Sequence, residues 1–125
     1  MDTAKQIEYW TTGSEEDLGA AESLLEKGHL RHSLFFAHLA LEKMLKAVVT
    51  QRTCQVPPKI HSLIRLAVLA RLQLDEEREG FLRECGAYQI EGRYPDSQQL
   101  QFSEKEAREE LKRVQELQIW LRQQL

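Results

Sequence analysis

This chain reads as an all-α protein, an up-and-down helical bundle of four long helices plus one short helix. Three observations lead there. Apolar residues recur at helical spacing along nearly the whole chain, the signature of amphipathic helices. Sustained alternation of β-branched residues is missing, and no Asn-Gly or Asp-Gly pair marks a hairpin. Finally, Phe35 to Ala47, FFAHLALEKMLKA, is apolar almost all the way round. A helix with no broad wet face belongs in the middle of a bundle.

Ile7, Trp10, Ser14, Leu18, Ala21 and Leu25 share one face, so the first helix spans about residue 3 to Lys27. Gly13 leaves a break open, with Ser14 as an N-cap and Glu15, Glu16 and Asp17 suited to the dipole of a second piece. Gly28 stands where helices commonly end. A second helix runs from about His29 to Gln51. Pro57 and Pro58 force a loop, because neither donates a helical hydrogen bond. A short helix follows from His61 to Arg71, with Leu63, Ile64, Ala67, Val68 and Ala70 mostly buried. Asp75 caps a fourth helix whose stripe is Phe81, Leu82, Cys85 and Tyr88 and which ends near Gly92. GRYPDSQQLQF, residues 92 to 102, has a proline and no helical period, and reads as an ordered loop. Ser103 to Glu106 form a capping box. It opens a last helix with Ala107, Leu111, Val114, Leu117 and Leu121 on one face.

With 125 residues, one domain covering 1–125 is the expectation. The balance of 42% hydrophobic and 30% charged residues is that of a soluble globular protein. No apolar run approaches the roughly 20 residues needed to span a bilayer. MDTAKQIEYW lacks the basic-then-apolar layout of a secretory signal, so a cytoplasmic protein is expected, with no membrane partner. A net charge of −3 and a pI near 5.8 exclude a broad basic nucleic-acid footprint but leave room for a local one. Cys54 and Cys85 form no CxxC pair, so plain thiols are expected. On the last helix Arg108, Lys112, Arg113 and Arg122 alternate with Glu104, Glu109, Glu110 and Glu116, the pattern of a solvated, salt-bridged face. Trp120 suits a packing or dimer anchor.

The central helix also carries Arg31, His38, Glu42 and Lys46, which at about 100° per residue fall within about 80° of one another. Polar groups lodged in a core must be partnered or do chemistry. Glu42 and Lys46 stand i,i+4 in the favourable order. His61, arriving after two prolines, is placed to bond a carboxylate such as Glu42. His38, Glu42 and His61 lack a metal-site pattern, so no metal and no cofactor is expected.

AHLALEKMLKA in the second helix, Lys59-Ile60-His61-Ser62-Leu63, and Gly92-Arg93-Tyr94-Pro95-Asp96, taken in order, resemble HEPN domains (higher eukaryotes and prokaryotes nucleotide-binding). Trp10, Glu16-Asp17-Leu18 and Gly28-His29-Leu30 fit the same pattern, so the likeness runs over roughly residues 5 to 122. The resemblance implies a bundle of about five helices that is usually a homodimer. Many such domains are encoded beside a small nucleotidyltransferase with which they form toxin–antitoxin pairs; others are metal-independent ribonucleases, and others binding or scaffolding modules. The ribonuclease members use an arginine and a histidine separated by four to six intervening residues. Here Arg93 is followed at those offsets by Gln98, Gln99 and Leu100, while Arg31 and His38 match the spacing only in the second helix. The expected function is therefore a nucleotide- or RNA-associated binding module acting with a separate nucleotidyltransferase. Its ligand-binding candidates are Arg93, Tyr94, His61, Glu42, Lys46 and His38. Arginine offers a planar fork for phosphate and tyrosine a flat face for a base. The alternatives are an endoribonuclease toxin using His38 or His61, and a structural dimerisation domain without ligand.

Overall fold

Asp2 starts the first helix by accepting the backbone N–H of Lys5 at 3.1 Å, which satisfies one of the four donors a helix start leaves open. From there α1 runs through Thr3–Glu26 in a computed structural model that describes the backbone of residues 1–93 and 102–125 and the side chains of residues 1–86 and 102–125. The helix is unbroken at Gly13. A Cβ there would stand 3.1 Å from Lys43 Cδ of the neighbouring helix, so this glycine makes room for a lysine stem and ends nothing. Ser14 correspondingly is no cap. It is fully buried, donates to the Ala40 carbonyl at 2.6 Å and accepts from Gln118 Nε2 at 3.2 Å.

Gly28 does close α1, at φ +82°. Its N–H reaches the Leu25 carbonyl and that of His29 reaches Leu24, the paired bonds of a Schellman ending. The chain then enters α2, Leu30–Thr53, which packs against every other helix. Its run from Met44 to Thr50 is buried without interruption. This matches the central place its two-sided apolar character demands.

Past Cys54, left-handed at φ 54°, the diproline loop leads to α3, Leu63–Leu69, capped by the Ser62 hydroxyl on Arg65 N–H. This helix is shorter than expected, and His61 lies just outside it. Leu63, Leu66, Ala67 and Ala70 face the core, the i, i+3, i+4, i+7 set, so Val68 points outward and is 72% exposed. Its expected burial is thereby corrected, and Leu66 takes that place.

Asp75 opens α4, Glu76–Arg93, by accepting Arg78 N–H at 2.8 Å. Phe81, Leu82 and Cys85 are buried as expected. The backbone of Gly92 and Arg93 is still helical, so the loop does not start at Gly92; one glycine weakens a helix by about 1 kcal/mol without ending it. The Tyr88 side chain and the loop from Tyr94 to Gln101 lie outside the described residues. The capping box at Ser103 is present in both directions, and it holds the Glu106 carboxyl below its usual range. It starts α5, Glu104–Gln123, whose predicted inner face is buried at every position. No strand occurs among the described residues.

Gly28→Ala is expected to cost about 1 kcal/mol, because the left-handed backbone penalises any Cβ while no neighbour crowds it. Leu45→Ala, at a fully buried position, is expected to cost about 3 kcal/mol through lost transfer and a residual cavity. Urea midpoints at unchanged slope measure both.

Candidate functional site

Three consecutive turns of α2 place His38, Glu42 and Lys46 one above another, each at least 94% buried by residue. The diproline loop supplies the fourth member. Pro57 is buried, Ile60 N–H turns back to the Pro58 carbonyl at 2.9 Å, and Ser62 caps α3. His61 is thus held between two constrained points. Its Nδ1–H donates to Glu42 Oε1 at 3.2 Å, while Lys46 Nζ donates to Glu42 Oε2 at 3.2 Å. Each carboxylate oxygen has its own cation or donor. That division matters, because a carboxylate withdrawn from water is tolerable only when its lone pairs are engaged.

Lys46 is bounded on its other side by Trp10 of α1, whose ring centre lies 5.2 Å from Nζ. A desolvated ammonium over an indole face gains about 2 kcal/mol or more. Trp10 Nε1 is itself buried without a hydrogen-bond partner among the described residues. Periodicity put Trp10 on the inner face of α1, but no spacing rule links it to Lys46, since the contact crosses between helices.

His38 is tied elsewhere. Its Nδ1–H donates to the Cys85 carbonyl of α4 at 2.9 Å, which settles the tautomer because a carbonyl only accepts. Nε2 is buried and unpartnered among the described residues. Burial drives the His38 pKa below its ordinary 6.5, outweighing the Cys85 carbonyl, Glu42 and the His61 backbone, which favour the proton. The imidazole is neutral and 1% exposed, out of reach of any dissolved ligand. Arg31, at the outer end of the stripe, is exposed. Burial also raises the Cys85 thiol far above its ordinary value, leaving it inert.

The structure therefore brings together Glu42, Lys46 and His61, with His38 on the adjacent turn. Only the His61 side chain, 49% exposed, reaches solvent. Arg93 has a helical backbone in the last turn of α4, while its side chain and all of Tyr94 lie outside the described residues. No group of three His, Cys, Asp or Glu side chains suited to a metal ion exists among the described residues. Sequence reading missed a groove of about 500 Å³ between α1 and α2, lined by Tyr9, Lys5, Glu8, Gly13, Glu16 and Lys43. Lys43 is anchored there by Asp17 at 2.8 Å.

The HEPN domain profile matches residues 7–124. The chain belongs to the HEPN domain family. A HEPN fold over this span accords with its similarity to the crystal structure of TT1696 from Thermus thermophilus: TM-score 0.82, 26% identity, covering 96% of this chain and 98% of that one. The fold is also similar to that of ST0689, an archaeal HEPN homologue: TM-score 0.66, 21% identity, covering 94% of this chain and 96% of that one. No curated protein matches the sequence. No helix among the described residues is long and apolar enough to cross a membrane.

Two outcomes test this HEPN site. Glu42→Gln leaves a buried ammonium with a weaker partner and is expected to destabilise by about 3 kcal/mol, whereas Glu42→Gln with Lys46→Met restores most of that; urea unfolding of single and double variants measures the coupling. His38 makes stability fall with acid. Its folded pKa is depressed, so below about 6.5 the unfolded chain binds the extra proton and gains on the native state. His38→Gln, which keeps a donor for the Cys85 carbonyl, is expected to flatten the loss between neutral and mildly acidic pH, read from unfolding free energies across that range.

Proposed function

We propose that this HEPN domain is a nucleotide- or RNA-associated binding module that works in the cytoplasm, as a homodimer, beside a separate nucleotidyltransferase. The observation that carries this reading is the closure of Glu42. With one oxygen given to Lys46 and the other to His61, the carboxylate has no free edge for proton transfer and acts as a brace for the histidine. What remains accessible is the outer edge of His61, with the exposed Lys59 two residues away. An imidazole and an ammonium on one constrained loop suit phosphate oxygens. Arg93, at the end of α4, and Tyr94 complete the proposed site with a phosphate fork and a stacking face. The nucleotidyltransferase partner is supported by the family's habits, which the resemblance brings with it.

A ribonuclease remains the second reading, on His61 alone. Among the two histidines considered for that role, His61 reaches solvent and His38 is sealed. A base must meet the proton it moves.

In the binding reading, purified protein is stabilised by mononucleotides or short RNA, by roughly 2.7 kcal/mol at about 100 times the dissociation constant. His61→Ala and Arg93→Ala each remove most of that shift, and the protein co-purifies with a co-expressed nucleotidyltransferase encoded next to it. RNA stays whole in chelator. Cleavage abolished by His61→Ala replaces this reading with the enzyme; a stable dimer with no shift for any nucleotide or RNA replaces it with a structural domain.

A further inference from the structure

Charge is distributed unevenly along the chain in a way that the binding cluster does not use. Overall there are 17 Lys and Arg against 20 Asp and Glu, yet between Glu42 and Asp75 no acidic residue occurs. That segment holds Lys43, Lys46, Arg52, Lys59, Arg65 and Arg71. The inner three are occupied: Lys43 by Asp17, Lys46 by Glu42, and Arg52 by the Ala70 and Arg71 carbonyls. The outer three, Lys59, Arg65 and Arg71, are exposed and have no ion-pair partner among the described residues. Elsewhere among the described side chains the surface arginines other than Arg31 are neutralised. Arg78 pairs with Asp75, Arg83 with Glu79, Arg108 with Glu104, Arg113 with Glu84 and Glu110, and Arg122 with Glu15.

The same face is aliphatic. Because Leu63, Leu66, Ala67 and Ala70 turn inward, α3 presents Arg65, Val68 and Leu69 outward, with Val68 72% and Leu69 40% exposed. Val56, on the loop leading into α3, is 64% exposed. The face is held in shape at its far end. Arg52 ties the end of α2 to the Ala70 carbonyl at 3.2 Å, and Arg71 turns the chain at φ 56°. A rigid face loses little freedom on binding.

We propose that the outward face of α3 docks a protein partner presenting aliphatic side chains inside a rim of aspartate and glutamate. Charge complementarity selects the acidic rim, since Arg65 within α3 and Arg71 just past its end are exposed and have no ion-pair partner among the described residues. The aliphatic centre selects protein over nucleic acid. No Phe, Trp or Tyr occurs between residues 43 and 74, so the face has no aromatic platform of the kind that grips bases. Exposed aliphatic groups contribute to binding when a partner's apolar groups cover them. Lys59 neighbours His61 in the chain and is shared with the proposed phosphate edge, but Arg65, Val68 and Leu69 of α3 are not, so this face stands whether or not the His61–Glu42 cluster takes a nucleotide.

The probe is a fluorescent helical peptide with leucines along one stripe and glutamates flanking it, titrated into the full-length chain by anisotropy. Three control ligands accompany it: the same peptide with Gln for Glu, the same with Ser for Leu, and an oligouridine of equal charge. The expected result is binding of the Glu/Leu peptide and of neither control peptide, weakened by salt, while any binding of oligouridine is unchanged by Arg65→Glu and Val68→Asp. Arg65→Glu and Val68→Asp each lower its affinity by about tenfold or more. Lys112→Glu, an equal change of charge on α5, leaves it unaltered. Thermal unfolding confirms that these surface variants stay folded. Failure of the peptide to bind, or binding that ignores Arg65→Glu and Val68→Asp, overturns the proposal. So does oligouridine binding that Arg65→Glu and Val68→Asp weaken, which makes the face a nucleic-acid site. A drop in sedimenting mass on Val68→Asp overturns it as well, because the occupant is then a second copy.

Discussion

The Glu42 carboxylate is the constraint around which this HEPN domain is arranged. It lies on the most enclosed helix of the bundle, 5% exposed, where an unengaged anion is untenable. Two groups answer it from different directions: Lys46 from the next turn of the same helix and His61 from the diproline loop. The first contact is local and helps α2 be a helix. The second fixes a loop to the core. Trp10 of α1 closes the cluster over Lys46, so one buried charge ties α1, α2 and the approach to α3 together. Such networks add little net stability over an apolar core of the same shape, but they penalise any arrangement that leaves a member unpaired.

Around this cluster the seam between α1 and α2 uses small side chains and hydroxyls. Ala21, Ala37 and Ala40 are almost wholly buried there, and Gly13 admits the Lys43 stem. Ser14 and Ser33 each send a hydroxyl to a carbonyl of the opposing helix, at 2.6 Å in both cases. Reciprocal bonds of this kind require close approach of the two backbones and fix their register. Gln118 extends the seam to α5 through Ser14. The histidine that the cluster presents to solvent is therefore mounted on a frame braced at several points, a condition for a site that holds its geometry.

Two faces of different character follow from that frame. One, around His61, is a polar loop edge backed by a buried carboxylate. The other, along α3, is aliphatic and cationic with no acidic neighbour in sequence. Their separation reflects one fact of geometry. The seven-residue helix turns Leu63, Leu66 and Ala67 into the core and so cannot hide Val68 or Arg65.

Much of the architecture was legible in the residues. Periodicity located five helices, the Gly28 ending, the Asp75 and Ser103 caps and the buried face of α5, because these depend on interactions within a few residues. The pairing of His61 with Glu42 was also within reach, since a buried carboxylate demands a donor and the diproline limits what can arrive. The role of Gly13, the hydrogen-bond partners of Ser14 and the outward turn of Val68 were not legible, although Ser14's place on the inner face was. Each is decided by what a neighbouring helix places against it: Lys43, Ala40 and Gln118 in the first two cases, and the orientation of α3 in the third. The sequence by itself determined which segments are helices and that α2 lies innermost, because those follow from local hydrogen bonding and from how much of each surface is apolar. Only the tertiary structure decided which polar side chains are sealed and which meet solvent, because that depends on contacts between residues far apart in the chain.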